Sequence, residues 1–154
     1  MTNHSIQQTT TDDIPDLQIV LDQTGLFPSE MLSDMLAPAL ADENKGIWLS
    51  CHFNGTAVGF SYTVPEEMAD GTWNMLALAV RPDLQGRRLG TGLVKAVEER
   101  LREKRQRILI VDTSGTNQFA ATRAFYARNG YAEEARIRDF WAVGDDKVTF
   151  RKAL

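Results

Sequence analysis

Apolar residues along this chain recur every three or four positions in some stretches and every second position in others, and the switches between the two spacings mark out its elements. Ser5 to Thr10 reads as a short edge strand. Asp12-Asp13-Ile14-Pro15 then places acids and a proline where the first turn of a helix favours them. Ile14, Leu17, Val20 and Leu21 keep helical spacing up to Gly25. Phe27-Pro28-Ser29-Glu30 starts a second helix with Met31, Leu32, Met35 and Leu36 as its apolar stripe, and Pro38 is expected to break it. From Ile47 the period is two: Ile47, Leu49, Cys51 and Phe53 face one way, Trp48, Ser50 and His52 the other. Asn54-Gly55, both tolerant of positive φ, predicts a hairpin, and Val58, Phe60, Tyr62 and Val64 continue the alternation on the return strand.

Residues 65–71 read as a loop and Trp73 to Val80 as the next strand, which breaks at Arg81-Pro82-Asp83. A turn rich in glycine and arginine leads into an amphipathic helix in which Leu89, Leu93, Val97 and Leu101 recur every four residues, with Glu98 and Arg102 set for an i,i+4 pair. Ile108-Leu109-Ile110-Val111 is an unbroken apolar run, the pattern of a central strand covered on both faces. Strand, helix and strand together predict a right-handed parallel crossover. Thr116 or Asn117 can cap a further helix through Arg128, with Gly130 at its C-terminal end. Ala132 to Val143 alternates again, Gly144-Asp145-Asp146 turns, and residues 147–153 pair back with Val148 and Phe150 inward, Thr149 and Arg151 outward.

The 154 residues fit a single domain, 1–154. No apolar run approaches the ~20 residues needed to cross a bilayer, and Met1-Thr2-Asn3-His4-Ser5 lacks a basic-then-apolar signal pattern, so no membrane partner is expected. With Cys51 alone no internal disulfide can form, which fits a reducing, cytoplasmic setting. A net charge of −4 argues against a broad nucleic-acid surface. Yet nine of the 17 Lys and Arg lie between Arg81 and Arg107, which makes any anion site local to that segment, although the residues after Lys95 also suit a solvated helix face. His4 and His52, far apart, make no metal site.

The chemistry concentrates at Trp73 to Gly92. A strand runs into a turn and a helix start, so backbone N–H groups and cationic side chains gather where phosphate binds. No Gly-Lys-Ser/Thr follows the turn, and Gly86, Gly90 and Gly92 do not make the dinucleotide spacing Gly-x-Gly-x-x-Gly. The order of elements, with Val80-Arg81-Pro82-Asp83-Leu84-Gln85-Gly86-Arg87-Arg88-Leu89-Gly90 and Phe125-Tyr126-Ala127-Arg128-Asn129-Gly130-Tyr131, resembles the GNAT N-acetyltransferase superfamily over nearly the whole chain. The resemblance implies an α/β (α+β) fold: a mixed, mostly antiparallel sheet of six to seven strands, a splayed parallel central pair and about four helices. It implies acetyl-CoA as cosubstrate, with no metal, lying in the opening between the fourth and fifth strands.

On that resemblance the backbone of Leu78, Ala79 and Val80 would hold the pantetheine arm. Gln85, Gly86, Arg87, Arg88, Leu89, Gly90, Thr91 and Gly92 would hold the pyrophosphate, and Asn117 could touch the coenzyme. One departure stands out. In the family pattern Gln/Arg-x-x-Gly-x-Gly/Ala, counted from Gln85, arginine occupies position 88 where glycine is usual; counting from Arg87 restores both glycines but shifts the motif by two residues. If φ at 88 is positive the arginine is strained, and if it is helical the guanidinium is free to contact phosphate.

Amine acetylation needs a neutral amine, a polarised thioester carbonyl and a proton for the departing thiolate. The resemblance assigns that proton to Tyr126, and the amide of Val80, with Leu78, to the acetyl oxygen. Glu66, Glu67, Asp139 or a water chain are open as the base. Cys51 sits mid-strand with no paired histidine, so direct transfer is favoured over an acetyl-enzyme. Trp48, Trp73 and Trp141 either line the acceptor pocket or pack the core. Acidic loops at 22–30, 66–70 and 139–146 suggest a cationic acceptor, a polyamine, an aminoglycoside or a lysine, on a small molecule or a protein. A non-catalytic acyl-CoA-binding or regulatory domain is the alternative, and edge pairing of the C-terminal strands gives a homodimer as an option.

Overall fold

The computed structural model describes residues 4–154; residues 1–3 of the Met1–Ser5 start lie outside the described residues. In chain order the elements are β1 (His4–Gln8), α1 (Ile14–Thr24), α2 (Leu32–Ala41), β2 (Ile47–Phe53), β3 (Thr56–Pro65), β4 (Thr72–Val80), α3 (Leu89–Glu103), β5 (Ile108–Ser114), α4 (Ala120–Arg128), β6 (Ala132–Ala142) and β7 (Asp145–Ala153). Among the described residues seven strands form one sheet in the order β1-β2-β3-β4-β5-β7-β6. Every neighbouring pair is antiparallel except β4 and β5, which run parallel as expected.

The helices cover this sheet unevenly. From α3, Leu89, Leu93, Val94, Val97 and Leu101 pack on one face against Ile47, Leu49, Met75, Leu109 and Val111. From α1 and α2, Leu17, Leu21, Leu32 and Leu36 pack on the other against Trp48, Phe60, Ala77 and Ala79. The alternation in β2 therefore buries both of its faces. The expectation that residues 108–111 would be covered on both faces is corrected: Leu109 and Val111 are buried, but Ile110 and the following Asp112 are only half-buried, because α1 and α2 lie over β2 to β4. Val148 and Phe150 point inward from β7 as predicted, whereas β6, at the sheet edge, is exposed along its whole length.

Two further expectations change. Pro38 does not end α2, which continues to Ala41. An interior proline costs a helix ~3 kcal/mol, but buried Leu36 and Ala39 hold the last turn against the sheet, and Asp42 N–H still donates to the Pro38 carbonyl at 3.0 Å. Val58 and Phe60 do not share a face. The Asn54–Gly55 turn has positive φ at both residues, 52° and 85°, as predicted. The register then slips, with Cys51 opposite Gly59 and His52 opposite Ala57, so Val58 is an extra residue in a β-bulge and joins the α3 side while Phe60 joins the α1 side.

A second slip falls in β4, where Tyr62 faces Ala77 and Thr63 faces Met75, leaving Leu76 without a partner. Its side chain turns out of the sheet and is 54% exposed. Met75 and Leu78 consequently both pack on the α3 side although three residues apart.

Candidate active site

β4 and β5 are paired only over residues 72–74 and 108–110, and beyond that rung they part. The β4 edge past the fork is open. Arg81 N–H donates to the Val58 carbonyl at 2.8 Å and so points toward β3. By the alternation of a strand, the N–H and C=O groups of Val80 and Leu78 point the other way, into the opening. Gln85 Nε2 donates to the Val80 carbonyl at 3.1 Å, which pins the following loop to the end of the strand.

That loop is built from two left-handed residues. Gly86 has φ 85° and Arg88, the residue immediately before α3, has φ 63°. The Gln85 register is thereby the structural one, since position 88 carries the backbone conformation that favours glycine, at a cost to arginine of roughly 1–2 kcal/mol. The curl has a direct result. Among the described residues none of the amides from Gly86 to Thr91 donates to a backbone acceptor, the first to do so being Gly92, to the Arg88 carbonyl at 3.0 Å. A run of unpaired amides at the positive end of a 15-residue helix offers donors that an anion could accept.

The amides lie beside a cleft of about 870 Å³ lined by Val80, Gln85, Gly86, Arg88, Leu89, Gly90 and Thr91. The remaining residues expected there are placed elsewhere. Leu78 lines a second cleft, Ala79 packs under α1 and α2, Arg87 lies over the Phe53 ring with its Cζ 5.6 Å from the centroid, and Gly92 backs onto Ile6. Asn117 is exposed in a 3-10 turn before α4 and lines neither cleft; the sequence put the helix start there, but α4 proper begins at Ala120. The rest of the lining, which the sequence reading missed, is Lys95 one turn further along α3, with Phe125, Arg128, Asn129, Gly130 and Lys152. Lys152 is fixed there because Nζ donates to Glu98 Oε1 and to the Asn129 carbonyl, both at 2.9 Å. Tyr131 donates to the other oxygen of the same buried carboxylate at 2.7 Å, a closer partner than Arg102 at 3.6 Å.

A second cleft of about 450 Å³ opens at the fork itself, between Met75, Leu76, Ala77 and Leu78 of β4 and Val111, Asp112, Thr113 and Ser114 of β5, with Tyr126 in its wall. Phe125 faces the first cleft and Tyr126 the second, so consecutive residues of α4 serve both. The Tyr126 ring is clamped by Phe125, Tyr131 and Phe150, with centroids 5.2, 5.8 and 5.8 Å away. Its hydroxyl makes no hydrogen bond to the described residues, and burial pushes the phenol well above the ordinary tyrosine value, so it stays protonated.

Of the candidate bases, Glu66 accepts a hydrogen bond from Asn74 Nδ2 at 3.1 Å beside the fork. Glu67 is exposed, and Asp139 is used within the β6–β7 hairpin, its carboxylate accepting from Gly144 N–H at 2.8 Å. The carboxylates that do line the second cleft are Asp112 and Asp145. Asp112 is held through both oxygens, by Thr149 Oγ1 at 2.6 Å and Asn74 Nδ2 at 3.3 Å. An acid directly after the apolar run 108–111, on the second strand of the parallel crossover, was the available sequence signal. Trp48 stacks between Phe60 and Tyr62, and Trp73 donates to Gln106, while Trp141 reaches the second cleft with its Nε1 on the Thr113 carbonyl at 3.2 Å. Cys51 is fully buried and its thiol is pushed up by that burial. Among the described residues no three His, Cys, Asp or Glu side chains could hold a metal ion, and His52 is bonded to Asp13 at 2.8 Å.

The sheet is thus mixed and parts at its one parallel pair, with a helix start of unpaired amides beside the gap. The chain belongs to the acetyltransferase (GNAT) family, whose model matches residues 12–131. Among solved structures it is similar to a GNAT-family protein from Desulfovibrio desulfuricans (25% identity, TM-score 0.88, covering 98% of this chain and 99% of that one). The ribosomal-protein-S18-alanine N-acetyltransferase of Escherichia coli shares the fold at 20% identity (TM-score 0.77, covering 98% and 94%). So does the PaiA N-acetyltransferase of Thermoplasma acidophilum, solved with coenzyme A, at 16% identity (TM-score 0.79, covering 99% of each chain). No curated protein matches the chain in sequence.

Proposed function

We propose that this protein is an acetyl-CoA-dependent N-acetyltransferase that moves the acetyl group directly to a primary amine. The observation that carries this reading is the run of unpaired amides from Gly86 to Thr91 on a cleft whose neighbour, across the fork, holds the partnerless Tyr126 hydroxyl. The amides and Arg88 would take the pyrophosphate, each charge-assisted bond contributing ~1.5–3 kcal/mol. The open edge at Leu78 and Val80 would pair with the amides of the pantetheine arm, and the Val80 N–H is the donor aimed at the thioester carbonyl. The neutral amine attacks that carbonyl carbon, forming C–N as C–S breaks. The sulfur leaves with the bonding pair and takes the Tyr126 proton, while the surplus proton on nitrogen passes to a carboxylate or water and returns to the phenolate through solvent.

Buried Cys51, without a base beside it, favours direct transfer over an acetyl-enzyme. We also hold to a cytoplasmic setting and to β6 as a pairing edge for a homodimer. The test is release of free thiol from acetyl-CoA over a panel of amines, with the mass of each product measured. An N-acetyl product supports the reading. Tight binding of acetyl-CoA with no thiol release from any amine overturns it in favour of a non-catalytic coenzyme-binding domain.

A further inference from the structure

The second cleft is unlike a site for a polycation. Its lining holds two carboxylic acids, Asp112 and Asp145, no Lys or Arg, and a majority of apolar side chains. Four of those apolar groups stand out of the protein around the mouth although each comes from a different segment: Leu26 after α1 (44% exposed), Leu76 at the β4 bulge (54%), Phe119 before α4 (38%) and Trp141 near the end of β6 (50%). Large apolar side chains that converge from four segments on one concave site mark a surface that a ligand covers. Beneath them Asp112 is locked by Thr149 and Asn74, and Asp145 by Ser114 Oγ at 2.6 Å, so the two carboxylates present fixed acceptors rather than mobile surface charges.

Resting on the acetyltransferase reading, we infer that the acceptor is a small primary monoamine with an apolar, preferably aromatic, body. It docks as the ammonium on Asp112 and Asp145, loses one proton to solvent to become the neutral nucleophile, and its body lies among Leu26, Leu76, Phe119 and Trp141. A polyamine or an aminoglycoside brings further charges and hydroxyls, which the apolar rim would desolvate without partners. Trp141 is the residue best placed to select a flat body, since its indole is oriented by the bond to Thr113 and its ring stacks edge-on to Phe140 at 4.7 Å between centroids.

The experiment uses the full chain in two arms. In the first, kcat/KM is measured with acetyl-CoA for phenethylamine, hexylamine, ethanolamine, spermidine, kanamycin and a peptide with a free N-terminus. Phenethylamine and hexylamine are expected to exceed ethanolamine and spermidine by about tenfold or more, and Trp141→Ala to lower kcat/KM for phenethylamine about tenfold with KM for acetyl-CoA unchanged. In the second arm, phenethylamine is titrated without acetyl-CoA while tryptophan fluorescence is read; quenching is expected in the wild type and lost in Trp141→Phe. Turnover only with spermidine, kanamycin or the peptide overturns the inference and leaves acetyl transfer standing. Quenching by phenethylamine with no turnover of any amine leaves the pocket assignment standing and overturns the acetyltransferase reading and, with it, the acceptor role. No quenching together with no preference among the amines overturns the inference outright.

Discussion

Asn74 and Asp112 meet side chain to side chain at the point where β4 and β5 separate, the Asn74 amide donating at 3.3 Å to Asp112 and at 3.1 Å to Glu66. One NH₂ group thus sits between two carboxylates beside the last paired rung. Asn74→Ala leaves those acids facing each other without the donor they share, Asp112 keeping only Thr149. It should lower stability by about 1–3 kcal/mol in urea unfolding and raise KM for the amine more than KM for acetyl-CoA. Equal changes in both would mean that the contact is structural only.

Tyr126→Phe should bind acetyl-CoA within a few-fold of wild type, because the ring still packs against Phe125, Tyr131 and Phe150. Loss of the proton donor should lower kcat by ~10²-fold or more. Steady-state kinetics beside a coenzyme titration would separate the two effects, and an unchanged kcat would remove Tyr126 from the reaction.

Alkaline pH should weaken the fold through the same region. Burial raises the Tyr126 phenol, and burial, followed by hydrogen bonding to Glu98, raises that of Tyr131. Both native groups keep protons that the unfolded chain releases near pH ~10, so stability is fully present below that pH and falls as pH rises beyond it. Urea midpoints between pH 8 and 11 should show this decline, and a flatter one in Tyr131→Phe.

At Arg88 conformation and charge oppose each other. Arg88→Gly relieves the left-handed φ of 63° and should raise stability by about 0.5–1 kcal/mol. It also removes a cation from the cleft wall, so coenzyme affinity should fall, with a shallower salt dependence. Thermal unfolding and coenzyme binding at two salt concentrations measure the two effects independently.

Cys51 should be inert. With the thiol fully buried and its ionisation made harder, iodoacetamide at pH 8 should leave the native protein unmodified and active. Cys51→Ala should retain kcat within a few-fold while losing some stability as a small cavity opens. Loss of turnover with the fold intact would reopen the covalent route.

How far the sequence could be read follows from how local each signal is. The Asn54–Gly55 turn, the Leu89–Leu101 stripe and the inward Val148 and Phe150 depend on nearest neighbours, and all appear as expected. The loop from Gln85 to Gly90 was legible down to its one uncertain residue, because a curl before a helix imposes φ on a fixed position. The bulges at Val58 and Leu76 were not, since an extra residue in a strand leaves the apolar run intact and shows only in the partner's register. The same holds for Lys95, Arg128 and Lys152, which three separate segments bring to one cleft, and for Asp112, whose two hydrogen-bond partners lie 37 and 38 residues away.

Leu76 gives β4 the character of a ruler with one extra division. Upstream of it, counting by twos reaches the core beneath α3; downstream the count is offset by one, and that offset decides which peptide groups look into the gap. Deleting this single residue would therefore close the bulge and make the pairing with β3 continuous. Trp73, Met75, Leu78 and Val80 would keep the face they already share and Arg81 its bond to Val58, whereas one residue added or removed where the strand is regular would turn one half of it over. Homologous chains should be aligned to this one across residue 76 with a one-residue gap allowed, even where no loop intervenes.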